Sequence, residues 1–105
     1  MSKTMQFCAA LAALVLMTAS LSFAQSADVY KTKCASCHGA TGTPNPGIAR
    51  TMGVKPASDP SVKSKSEAQM ITITSNGVGK MPAYKSKLTD AQIKEAVEYF
   101  RTLGN

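Results

Sequence analysis

The stretch Cys34-Ala35-Ser36-Cys37-His38 decides how the rest of this chain is read. Two thiols with two residues between them fall on about one helical turn. At that spacing both can add across the two vinyl groups on neighbouring edges of a porphyrin. The adjacent His38 is then carried under the macrocycle, where an imidazole nitrogen can ligate the iron. This is the spacing of c-type haem attachment. Two other chemistries also use paired cysteines. A thioredoxin-type dithiol follows a strand in a βαβ setting, and no such pattern surrounds Cys34. A structural zinc site needs four ligands, whereas Cys34, Cys37 and His38, the chain's only histidine, supply three.

Upstream of the motif, Lys3 sits in a short polar start and Phe7 to Met17 is an apolar run. Ser22 and Ala24 follow as a small-x-small exit. Together these read as a secretory signal peptide cleaved after Ala24. An uncleaved anchor needs about 20 mostly apolar residues, and Thr18, Ser20 and Ser22 interrupt the run before that. Cys8 is preceded by Met5-Gln6-Phe7, which lacks the small residues of a lipoprotein signal, so it is discarded with the leader. The expected organisation is therefore residues 1–24 as leader and 25–105 as one domain, exported to the periplasm and without stable membrane insertion.

Removing 24 of the 105 residues leaves 81, with 11 basic against 6 acidic side chains and a net charge of about +5. A domain of this size is marginal by itself and normally carries a staple. Its two cysteines cannot supply one as a disulfide, because closing a loop of two residues removes almost no chain entropy. A bound cofactor is the remaining candidate.

Along the domain, Ser26 to His38 reads as a first helix, with Ser26 as cap and Asp28 at the positive end. From Gly39 to Lys65 the chain is rich in glycine and proline and poor in periodicity, a long loop of the kind that wraps a flat group. Ser66 to Gln69 is a capping box opening a helix that ends near Asn76–Gly77. The alternation Ile71-Thr72-Ile73-Thr74 argues locally for a strand, but the box and the terminal Asn76–Gly77 agree on a helix. Thr89 to Gln92 is a second capping box. It starts a helix with Ile93, Ala96, Val97, Phe100 and Leu103 on one side, and Gly104 is placed to end it.

For the second axial position the thioethers of Met52, Met70 and Met81 are the candidates. Met70 lies within a helix, where a core role suits it. Met52 lies in the irregular loop. Met81 precedes Pro82, which fixes the local backbone and removes a competing amide donor. For the free nitrogen of His38, the carbonyl of Pro46 is the candidate acceptor, since a ligating imidazole is normally oriented by such a bond.

Cys34-Ala35-Ser36-Cys37-His38-Gly39, with Gly77-Val78-Gly79-Lys80-Met81-Pro82-Ala83-Tyr84 and the run from Lys85 to Ile93, resembles the class I monohaem cytochromes c. It is similar to the short bacterial and photosynthetic carriers and to the cytochrome c modules of larger oxidase and dehydrogenase complexes. The likeness covers nearly all of residues 25–105. It implies an all-α cytochrome c fold of three to four helices, with long loops wrapped around one covalent haem c. It implies His38 as proximal and Met81 as distal ligand, with Cys34 and Cys37 as the attachment points. It also implies a crossing of the first and last helices, here Val29 and Tyr30 against Tyr99 and Phe100. One departure stands out: the chain has no tryptophan, which many members place near a haem propionate. Arg50 and Tyr84 are the candidate substitutes.

The expected role is one-electron carriage, not enzymatic catalysis. A monomer is expected to dock acidic redox partners through Lys31, Lys33, Lys80, Lys85 and Lys87. A haem-based sensor or small peroxidase-like enzyme with a labile distal ligand is the alternative, and a fixed subunit of a respiratory complex is another. Nucleic acid is not an expected partner, because the chain lacks a dense basic stripe.

Overall fold

In the computed structural model, residues 27–105 are described. The leader at 1–24, its cleavage site and the Ser26 cap lie outside the described residues. Residues 27–33 (α1) are helical, and α2 (Ala35–His38) follows after a turn at Cys34. The Cys34 carbonyl accepts from both Cys37 N–H (3.2 Å) and His38 N–H (3.0 Å), so the helical path tightens through the motif.

The breaker-rich stretch contains more order than its composition predicts. Two short helices, α3 (Pro46–Met52) and α4 (Pro60–Lys63), form within it. Each starts on the same device. Asn45 accepts from Gly47 N–H and Asp59 accepts from Ser61 N–H, and in each case a proline stands at the first helical position. There the missing proline N–H has no helical partner to lose. Periodicity cannot reveal helices of one or two turns, but the Asn45–Pro46 and Asp59–Pro60 pairs carry the signal.

The two capping boxes are present as expected. Ser66 opens α5 (Glu67–Asn76) and Thr89 opens α6 (Asp90–Leu103), each with reciprocal bonds to Gln69 and Gln92. The Ile71–Thr74 alternation is helical because Thr72 and Thr74 donate their hydroxyls to the carbonyls of Ala68 and Met70. That bond makes a β-branched threonine compatible with the helix. Among the described residues the extended pairing is limited to an isolated antiparallel bridge between Val78 and Met81, so the architecture is all-α. No described helix is long and apolar enough to cross a membrane.

The core is small: Tyr30, Ala57, Met70, Ile93, Ala96 and Val97. Tyr30 is the pivot of the helix crossing, with ring centroids 5.2 Å from Tyr99 and 6.1 Å from Phe100. A second junction joins the loop after α2 to the end of α6. Ala57 N–H donates to the Gly42 carbonyl at 2.8 Å. A Cβ on Gly104 would lie 2.7 Å from the Ala57 carbonyl oxygen. Gly104 has a right-handed backbone (φ −80°), so it serves close approach here, not the left-handed cap that its position predicts.

Gly42 answers both demands at once: its φ is +84°, and an added Cβ would sit 2.9 Å from the Cβ atoms of Ala57 and Leu103. We expect Gly42→Ala to lower stability by about 1–3 kcal/mol, read as a fall in the denaturant midpoint of the intact protein. An unchanged midpoint would mean that the junction relaxes freely.

Candidate haem site

α2, the end of α3, α5, the 77–81 turn and α6 close around a cavity of about 550 Å³. That volume is in the range of about 300–1,000 Å³ typical of small-molecule and cofactor sites. Cys34, Cys37 and His38 stand on its wall together with Met81. The structure thus brings together all four residues that the sequence singles out. It also places Met52 and Met70 on the same wall.

Cys34 and Cys37 are each half-buried and are not joined to one another as a disulfide. Burial, and then the proximity of Cys37, pushes the Cys34 thiol up to about 11. A redox dithiol works through a depressed thiol pKa, so this environment opposes the thioredoxin-type reading. Among the described residues no group of three or more His, Cys, Asp or Glu is arranged to hold a metal ion, which opposes the zinc reading. What remains is a thiol pair at the edge of an apolar cavity.

Burial also lowers the pKa of His38, favouring the neutral imidazole. This is the form that binds a metal. Its ring packs edge-on against Phe100, with centroids 5.1 Å apart. Nδ1 is enclosed and has no hydrogen-bond partner, so Pro46 does not accept from it as the sequence suggests. Pro46 is instead the first residue of α3, directly after the Asn45 cap. The enclosed Nδ1 leaves Nε2 as the nitrogen available to a ligand on the cavity side.

The three thioethers are held differently. Met70 is buried in α5, and Met52 is 37% exposed at the end of α3. Met81 is half-buried and fixed by backbone. Val78 and Met81 exchange N–H···O bonds of 3.1 and 2.9 Å, and the turn is tied to α5 by Tyr84 N–H on the Thr74 carbonyl (3.0 Å). Met81 is therefore the thioether whose position is set by a closed turn, consistent with Pro82 following it.

Of the two candidate substitutes for tryptophan, Tyr84 lines the cavity and Arg50 does not. The Tyr84 hydroxyl donates to the Lys33 carbonyl at 3.3 Å, beside the cysteines. Lys55, Ser61 and Lys65 also line the cavity. The sequence reading misses them, because three polar residues in an aperiodic stretch carry no signal until the chain is folded.

Residues 22–100 match the family model of the cytochrome c oxidase, cbb3-type, subunit III. The chain belongs to this cytochrome c family. Among solved structures, the KustC0563 c-type cytochrome has the same fold, with a TM-score of 0.69 at 24% identity over 76% of this chain and 98% of that one. No curated protein matches. The all-α fold is that of a monohaem class I cytochrome c, and its general role is haem-based electron transfer. The donor set fits the group: two thiols on one turn, a neutral imidazole beside them, and a thioether fixed on the same wall.

Gly77 is what allows the Met81 turn to close. Its φ is +77°, and a Cβ there would lie 2.7 Å from the Met81 carbonyl oxygen and 2.9 Å from Ala83 N. Gly79 has a φ of +54° with open space around it, in a left-handed region that asparagine tolerates. Gly77→Ala should displace Met81 and admit carbon monoxide to the reduced haem protein, whereas Gly79→Asn should leave the spectrum unaltered. Equal behaviour of the two variants would separate the turn from the ligand position.

Proposed function

We propose that the chain is an exported, periplasmic electron carrier in which Cys34 and Cys37 hold one haem c through thioether bonds. In this reading His38 and Met81 are the two axial ligands. The observation that carries it is the convergence of all four side chains on one apolar cavity, with Met81 fixed by the Val78–Met81 turn. When bound, the haem supplies a one-electron Fe(III)/Fe(II) couple, which a thioether ligand shifts to higher potential than a second nitrogen ligand does.

The chain's residues then do three things. Cys34 and Cys37 fix one edge of the ring and substitute for the disulfides that a small domain lacks. His38 enters as a neutral base, held edge-on by Phe100. Met81 would supply the second donor to the iron from a turn closed by Val78, so a change of redox state would require no rearranged backbone. With both positions filled by protein, no coordination site is left for a substrate. This favours a carrier over the sensor or peroxidase alternative.

Partner choice follows from the cavity mouth. Val78 is 59% exposed and Met52 37%, the Lys80 ammonium donates to the carbonyl of Thr51 next to Met52, and Lys33 lines the cavity on the cysteine side. An apolar centre with a basic rim suits a redox protein with an acidic docking surface, met at rates that fall as salt rises. The family's oxidase-subunit description favours a second reading, a fixed electron-transfer module within a larger complex. The first reading predicts a free monomer, and the second predicts co-purification with a larger partner at constant stoichiometry.

The first test is carbon monoxide titration of the reduced, matured protein. The wild type and Met52→Ala should keep an unaltered c-type spectrum, while Met81→Ala should form the carbonyl complex and shift to a lower potential. Cys34→Ala together with Cys37→Ala should leave haem extractable by acidified organic solvent. A carbonyl complex formed promptly by the wild type would reverse the order of the carrier and sensor readings.

A further inference from the structure

Resting on the haem reading above, we infer that the haem propionates are held by Lys55 and Lys65, with Ser61 positioning Lys55, and not by Arg50 or Tyr84. The chemistry of the ring sets the problem. Its vinyl and propionate groups occupy opposite edges, so the carboxylates lie across the macrocycle from the cysteines. Tyr84 belongs to the cysteine edge: its hydroxyl donates to the carbonyl of Lys33, the residue before Cys34. Arg50 does not reach the cavity.

Four lysines do line the cavity: Lys33, Lys55, Lys65 and Lys80. Lys33 is next to Cys34. The Lys80 ammonium donates to the Thr51 carbonyl and sits beside Met81, on the ligand side of the wall. Lys55 and Lys65 remain, both from the segment between α3 and α5.

Lys55 is also preset. Asp59 Oδ1 accepts from the Ser61 hydroxyl at 2.6 Å, and Ser61 Oγ accepts from Lys55 Nζ at 3.2 Å. The Ser61 proton is committed to Asp59, so its oxygen faces the ammonium. One of the three ammonium donors is used, leaving two for a carboxylate at the cavity rim. The Asp59 cap that starts α4 thus also holds the cation in place. Two lysine ammoniums thus offer the propionates both hydrogen-bond donors and counter-charge.

The test uses the matured holoprotein and reads the midpoint potential as a function of pH. Of the charged groups on this segment, Lys55 and Lys65 line the cavity, while Asp59, tied to Lys55 through Ser61, and Lys63 do not; Lys80 stands on the ligand side and Lys33 and Tyr84 on the far side. In Lys55→Gln/Lys65→Gln the propionates lose their counter-charges. The reduced-to-oxidised ratio at a fixed applied potential should fall about three- to tenfold. The pH at which the potential starts to vary with proton concentration should move upward, because a carboxyl without a cation is easier to protonate.

Lys31→Gln/Lys33→Gln makes the same charge change at the cysteine edge and should leave that onset pH in place. Lys55→Arg/Lys65→Arg, which keeps the charge, should restore wild-type behaviour. An onset pH unmoved in Lys55→Gln/Lys65→Gln, or moved equally by the cysteine-edge pair, overturns the assignment while the haem spectrum stays intact. Matured wild-type protein without covalent haem would instead overturn the underlying reading, and the assignment with it.

Discussion

The hydrogen bond from the Tyr30 hydroxyl to the Gly39 carbonyl, 2.6 Å long, links two requirements that the rest of the structure must meet together. Tyr30 is 1% exposed, and its ring lies between α1 and the aromatic pair on α6. Its hydroxyl reaches the residue that follows His38. The helix crossing and the orientation of the motif are therefore fixed by one side chain. Phe100 extends the linkage, since it touches both the Tyr30 ring and the His38 ring. A buried phenol must find a partner or lose about 1–3 kcal/mol. Here the partner is the Gly39 carbonyl, just past the end of α2. Burial pushes the Tyr30 pKa well above the ordinary phenol value, which keeps the hydroxyl a donor at any physiological pH.

Around this pivot the fold is economical. Its buried hydrophobic side chains are few, while Met70, Ile73, Val97 and Phe100 turn toward the cavity and form an apolar wall. A domain of this size cannot rely on side-chain packing alone. Junctions made of small residues, such as Gly42 with Ala57 and Gly104, bring backbone close to backbone and save volume that larger side chains would need. The same economy explains the short helices. α3 and α4 each carry their own cap and proline, so each is locally specified even though neither has a face long enough to be held by burial.

What the sequence makes legible follows the range of each signal. The Cys34–His38 motif, the two capping boxes and the α6 stripe are local patterns, and each appears where the residues place it. Tyr30 against Tyr99 and Phe100 is a distant pairing, readable through the family resemblance and present in the fold. α3 and α4 are missed because attention to periodicity passes over the Asn45–Pro46 and Asp59–Pro60 caps. The Pro46 carbonyl fails as a partner for His38 because Pro46 is committed to starting α3. Lys55 and Lys65 are invisible for a different reason. Their meaning lies in which wall they reach, and nine residues, four of them the helix α4, separate them in the chain.

Burial acts on the two chemical groups of the motif in opposite senses. It raises the Cys34 pKa, keeping the sulfur a neutral thiol, and it lowers the His38 pKa, keeping the imidazole a neutral base. An apolar cavity disfavours the charged form of each group, whichever sign that charge has. For His38 the consequence for stability has a definite sign. The folded pKa is depressed, so its full contribution is present above the ordinary histidine value of about 6.5. That contribution is lost as pH falls toward the lower folded value, because the unfolded chain takes up the proton first. The low-dielectric wall that selects the neutral imidazole thus also ties this part of the stability to neutral and alkaline pH.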